Sequence, residues 1–189
     1  MNANIIFELL KTAVDVFYRR DKNLVEIGGL ERTCASRIAG YLQRLLDIYG
    51  YDNYCLSVDC EYGKATSNSG EELIKYLDSN NAYAAHYGEK GRIFPDIIVH
   101  ERGVHTNNML VIELKGYWHN DDDWKYDEKK LKIFTNPAPS ENLRSYFNYK
   151  QGVFIALGKT KGYFVRFQNG HHVIGDARVS DLFNKRSRL

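Results

Sequence analysis

Asp96, Glu113 and Lys115 are the residues whose types and spacing point to chemistry. Asp96 lies in the run Phe94-Pro95-Asp96-Ile97-Ile98-Val99-His100, and Glu113-Leu114-Lys115 closes a run that starts at Met109. Both runs are apolar and rich in β-branched residues, the pattern of buried strands. An ionised group is costly there unless it is paired or bound to a metal. Gly103 and Asn107-Asn108 mark a turn between the runs, so an antiparallel hairpin is expected. A hairpin sets the start of its first strand beside the end of its second, which brings Asp96 to Glu113. Lys115 follows Glu113 by two residues and shares its face of the strand. Two carboxylates and an ammonium suit a hard cation, Mg²⁺ or Mn²⁺, which takes oxygen ligands and keeps several waters. The plainer alternative is a pair of edge ion pairs, with Lys115 as partner to Asp96 or Glu113.

The elements that must position these groups follow from periodicity and punctuation. Apolar residues at helical spacing predict a helix over 4–20, and a polar break at 21–23 precedes Gly28-Gly29. A second helix is expected over 30–46. Alternation predicts a strand over 54–62, then a loop over 65–70, a short helix over 71–77 and an irregular stretch over 79–91. The hairpin strands fall at 93–100 and 109–115, followed by a helix over 124–134 with Asp121-Asp122-Asp123 at its start as possible cap. A further helix over 140–149 and closing strands over 153–157 and 163–167 complete the order. The class is α/β, a mixed central sheet flanked by helices. We expect one domain: an N-terminal helical extension over 1–29, a core over 30–167, and a mobile basic tail over 168–189 with Lys185, Arg186 and Arg188.

Further acids are candidates for the same site. Glu31 stands in the first turn of the second helix, and Ala35, Ile38, Leu42 and Leu45 share its face, so it is expected to point at the sheet. It is read as a metal ligand, directly or through water, with a helix-dipole acid as the alternative. Glu61 closes the 54–62 strand and can serve the site or pair with Lys64 or Lys115, whereas Asp59 is read as structural. Asp127 and Lys130 form an i, i+3 pair that is commonly a solvated surface pair; a substrate role is the lesser reading. Tyr149 and Gln151 are read mainly as a helix end, and His100 as an ordinary strand-end histidine.

The pattern Pro95-Asp96, then a hairpin, then Glu113-Leu114-Lys115, resembles the PD-(D/E)XK nuclease superfamily of restriction-type endonucleases, resolvases, and repair and phage nucleases. The resemblance spans about 30–157, including a preceding helix that carries an acid, here Glu31. It implies a restriction-endonuclease-like core and a metal held by Asp96, Glu113 and the carbonyl of Leu114, with Glu31 completing the acidic cluster. Lys115 is then the group that orients the attacking water. The implied activity is metal-dependent hydrolysis of phosphodiester bonds, with DNA favoured. Degenerate members often lose an acid or the lysine; here all are present. The alternative is a catalytically silent or partner-dependent nucleic-acid-binding subunit of a defence, repair or mobile-element complex. Many relatives dimerise to cut two strands, so a homodimer or a larger assembly is compatible.

Composition bounds these readings. The net charge of +2 is close to balance, which disfavours a nonspecific basic coat. Phosphate contacts are instead assigned to a local cluster, Lys64, Lys90, Arg92, Arg102, Lys129, Lys130 and Lys132, around the motif. The cysteines Cys34, Cys55 and Cys60 lack C-x-x-C spacing, and their odd number is expected of a reducing cytoplasm. No stretch is long and apolar enough for a membrane partner. The six histidines form no zinc motif, and no phosphate-binding glycine loop or G-x-S-x-G elbow is present.

Overall fold

The computed structural model describes residues 2–60, 64–66, 72–74, 94–104, 107–136 and 148–183. Three helices come first: α1 (Ala3–Arg20), α2 (Lys22–Ile27) and α3 (Glu31–Ile48). The polar stretch at 21–23 is therefore not a plain break. Asp21 ends α1 and α2 starts at once, and the Asp21 carboxylate accepts from Arg37 and Tyr41 of α3. After a single 3₁₀ turn, Tyr51–Tyr54, come the strands β1 (Leu56–Cys60), β2 (Lys64–Thr66), β3 (Glu72–Ile74), β4 (Ile97–Glu101) and β5 (Asn108–Gly116). Helix α4 (Asp121–Phe134) follows, then β6 (Gln151–Leu157), β7 (Gly162–Gln168), β8 (His171–His172) and α5 (Val179–Phe183).

Two local expectations fail between β1 and β4. Ala65 and Thr66, expected in a loop, belong to a strand, and Glu72–Ile74 is strand rather than helix, because the two segments pair antiparallel with each other. Cross-strand pairing overrides the weak helical preference of so short a run. The irregular stretch over 79–91 and most of the helix expected over 140–149 lie outside the described residues.

The main sheet runs β1-β4-β5-β6-β7-β8, with every neighbouring pair antiparallel except β5–β6. Parallel neighbours require a crossover, and α4 supplies it. This is a mixed six-stranded α/β sheet with helices on both faces. On one face Leu110, Ile112 and Leu114 of β5 and Val153, Ile155 and Leu157 of β6 pack with Ile6, Leu10 and Phe17 of α1 and Ile38 and Leu42 of α3. On the other, Val111, Phe154, Ala156 and Phe167 pack with Trp124, Leu131 and Phe134 of α4 and Val179 and Leu182 of α5. Cover on both faces explains why β5 and β6 read as continuous apolar runs rather than alternating ones.

That packing corrects the expected outline at both ends. Helix α1 is not an extension: Ile6, Leu10 and Phe17 are fully buried in the sheet's own core. Nor is 168–189 a tail throughout. The β7–β8 turn and α5 close one end of the second layer, because Val179 and Leu182, at i and i+3, bury one apolar stripe. Lys185, Arg186 and Arg188 lie outside the described residues.

Candidate metal centre

The site forms where β5 ends, because three neighbours converge there. Ile97 pairs with Ile112, so Asp96, just before β4, lies level with Glu113. The Leu114 N–H donates to Asp96 Oδ2 at 2.7 Å and fixes that carboxylate against β5. Glu113 and Lys115 alternate with the apolar residues that face α3, so both project under α4. Gly116 then lets the chain turn tightly: a Cβ there would lie 2.2 Å from the Trp118 ring, which packs back over the strand end.

Helix α4 crosses above with its own charged pair facing inward. Asn120 caps it, accepting from the N–H groups of Asp122 and Asp123, each at 2.9 Å. Asp121, Asp122 and Asp123 thus form the first turn rather than the cap, a favourable place for negative charge. The face turned to the sheet carries Trp124, Asp127, Lys130, Leu131 and Phe134, all buried.

Asp127 and Lys130 are therefore not a solvated surface pair. Asp127 is 1% exposed, and one carboxylate oxygen each of Asp96, Glu113 and Asp127 lies within 4.8 Å of the others. Lys130 Nζ donates to Glu113 Oε2 at 2.6 Å and pairs with Asp127 Oδ1 at 2.8 Å. Lys115 Nζ pairs with Glu31 Oε1 at 2.6 Å and Asp127 Oδ2 at 3.1 Å, instead of the partners expected, Asp96 or Glu113. Glu31 does point at the site, as the apolar face of Ala35, Ile38 and Leu42 requires. It stands one lysine away from the three acids, however, and its second oxygen lies 2.7 Å from His119 Nε2.

Charge is held here against solvation. Burial pushes the Asp96 carboxyl up to about 6, although Lys130 and Lys115 pull the other way. Burial also raises Glu113 well above the usual carboxylate range, with Asp127 and Asp96 adding to the rise and Lys130 opposing it. Burial works against the ammonium of Lys115, yet Asp127, Glu31 and Asp96 outweigh it and its pKa rises. Lys130 likewise rises, because Glu113, Asp127 and Asp96 together overcome its desolvation.

A hard divalent ion fits this donor set. All three acids offer oxygen, and Glu113 Oε1 is buried without a hydrogen-bond partner among the described residues. The Leu114 carbonyl lies on the same strand end.

The remaining expected residues are dispersed. His100 bonds to Asp59 at 2.9 Å across the β1–β4 pair. Arg102 bonds to the same carboxylate, which holds Asp59 in an ion-pair cluster apart from the three acids. Tyr149 stacks edge-on against Phe134 and is buried, and Gln151 reaches toward Asn4 at 3.4 Å. Among the basic residues, Lys129 is exposed on α4 and Lys132 pairs with Glu128 at 2.7 Å. Lys130 is turned inward, 8% exposed, because two acids hold it there. Glu61, Lys90, Arg92 and the Lys64 side chain lie outside the described residues.

Comparison with protein-family models and with curated proteins gives no match to this chain. No helix among the described residues is long and apolar enough to cross a membrane.

Proposed function

We propose that this chain is a Mg²⁺- or Mn²⁺-dependent nuclease that hydrolyses phosphodiester bonds, with DNA favoured, and that its sheet is a restriction-endonuclease-like core. The observation that carries the reading is the convergence of Asp96 and Glu113 at the end of β5, with Glu113 Oε1 buried and without a partner among the described residues. Asp96 and Glu113 would hold the ion, together with the Leu114 carbonyl. When bound, the ion lowers the pKa of a coordinated water and offsets charge developing on the scissile phosphate. Lys115 stays protonated beside Glu31 and Asp127, so its ammonium can orient the attacking water and stabilise the phosphorane-like charge. Glu31 positions Lys115 from α3. Exposed Lys129 and Arg102 are candidates for phosphate contacts.

A second reading has its own support. Lys115 and Lys130 already compensate the acids internally, as a binding subunit without cleavage would require. One experiment separates the two: cleavage of plasmid, linear duplex, single-stranded DNA and RNA with Mg²⁺, Mn²⁺ or EDTA, wild type beside Asp96→Ala. Cutting that needs metal and vanishes in the variant supports the nuclease. Metal-dependent cutting that persists in folded Asp96→Ala overturns the assignment of Asp96. Retention of nucleic acid without cutting supports the binding subunit.

A further inference from the structure

We propose that Asp127 is a third metal-ligating carboxylate, delivered by α4. In this arrangement the ion takes Glu113 Oε1 and Asp127 Oδ2 beside Asp96, while Lys130 keeps the other oxygen of each buried acid. The inference rests on the metal-dependent reading of the site and extends it to a residue outside the hairpin motif.

The division of oxygens carries the argument. Lys130 takes Glu113 Oε2 and Asp127 Oδ1. Glu113 Oε1 and Asp127 Oδ2 are both buried and neither accepts a hydrogen bond from a described residue. Asp127 Oδ2 is ion-paired with Lys115 Nζ at 3.1 Å, so Glu113 Oε1 is the one of the two that has no partner among the described residues. Buried carboxylate oxygens without donors are rare because each loses its hydration with nothing in return. One of them, Glu113 Oε1, in a group of three acids that each bring an oxygen within 4.8 Å of the others, makes a cation the missing partner. The lysines alone do not complete the group, since Lys115 and Lys130 are both present and Glu113 Oε1 remains without a described donor. Glu31, the acid expected from the helix before the motif, pairs with Lys115 and His119 and stands outside the group of three acids within 4.8 Å. Of the two helix-borne acids, Asp127 is the one within ligand range of Asp96 and Glu113.

The test is Mn²⁺ binding to the full chain by titration calorimetry, in wild type, Asp96→Asn, Asp127→Asn and Glu31→Gln, with circular dichroism in EDTA as the check on folding. Asp127→Asn is expected to weaken binding at least tenfold, as Asp96→Asn does, and Glu31→Gln by less than threefold. Wild-type affinity in folded Asp127→Asn, with loss in Asp96→Asn, overturns the inference and leaves the metal site standing. Absence of binding in wild type overturns both. Binding that depends on Asp127, in a protein that cuts no nucleic acid, removes the nuclease reading and keeps the ligand. If Asp127→Asn does not fold, Fe²⁺-directed radical oxidation of wild type decides the matter. Damage around 127 as well as 96 and 113 is expected; damage around 31 in place of 127 overturns the assignment.

Discussion

Two aspartates sit beside β4, one on β1 opposite Ile98 and one just before the strand starts, and they live under opposite rules. Asp59, on β1 opposite Ile98, has its carboxylate shared between Arg102 and His100, and Arg102 is 63% exposed. Hydrogen bonding to Arg102 holds the Asp59 carboxyl below the usual range against a weaker desolvation. Asp96, before β4 starts, accepts from the Leu114 N–H, and burial pushes its carboxyl up. The first cluster is complete as it stands. The second holds three acids against two lysines and leaves the buried Glu113 Oε1 without a donor among the described residues. A satisfied ion pair at a strand end is structure; an unsatisfied one kept in the interior is the better candidate for chemistry.

The strongest way to break that contrast is Lys130→Met. It leaves Glu113, 0% exposed, without its nearest counter-charge. Removing one partner of a buried pair costs about 3–5 kcal/mol. Urea unfolding in EDTA should show a loss of that size, and Mn²⁺ should restore part of it. A loss below about 1 kcal/mol would mean that solvent reaches the cluster, and the contrast with Asp59 would fall.

The same contrast has opposite signs in pH. The folded pKa of Asp96, about 6, lies above its ordinary value of 3.8, so the folded state binds this proton more tightly. Its contribution therefore falls as pH rises through that window, by about 3 kcal/mol in all for a shift of about two units. Glu113 shifts in the same direction. The folded pKa of Asp59 is depressed, so its contribution is present above 3.8 and is lost as pH falls further. Unfolding of the metal-free protein across about pH 3 to 7 should show both limbs. Asp96→Asn should flatten the decline on the neutral side, and Asp59→Asn the loss on the acid side.

How much of this was legible in the sequence depends on which residues state their surroundings locally. The hairpin acids did: charged residues inside β-branched runs signal burial, and antiparallel geometry brings Asp96 to Glu113. Glu31 was equally legible from the apolar residues on its helical face. Asp127 carries the same signal, with Trp124 at i−3, Leu131 at i+4 and Phe134 at i+7. Reading Asp127 and Lys130 only as a local i, i+3 pair hid it. The partners of Lys115 were not legible, because Glu31 and Asp127 come from two helices on opposite faces of the sheet. The β2–β3 pairing was missed for a related reason: runs of three residues hold no period, so only their partner defines them.

Metal should sharpen the comparison. At a free Mn²⁺ concentration a hundredfold above its dissociation constant, wild type should gain about 2.7 kcal/mol. Thermal unfolding of Asp96→Asn should show almost none of that gain. Asp59→Asn should keep it, since its carboxylate already has both donors in the protein. A gain lost equally in both variants would show that the ion binds by general negative charge rather than at the end of β5.

The smallest effect is expected from Arg102→Met. Its guanidinium bonds Asp59 through two nitrogens, a geometry better than most surface pairs, and His100 stays as a second donor when Arg102 is removed. Exposed pairs contribute about 0.2–1 kcal/mol, and salt screens them. The loss should sit within that range in dilute buffer and shrink toward zero near 1 M salt, where the Debye length is about 3 Å. Lys130→Met should keep most of its cost under the same salt, because ions do not reach a side chain that is 8% exposed. Equal salt sensitivity in the two variants would place both clusters in solvent. Unequal sensitivity ties the difference between Asp59 and Asp96 to burial rather than to the number of charges around each.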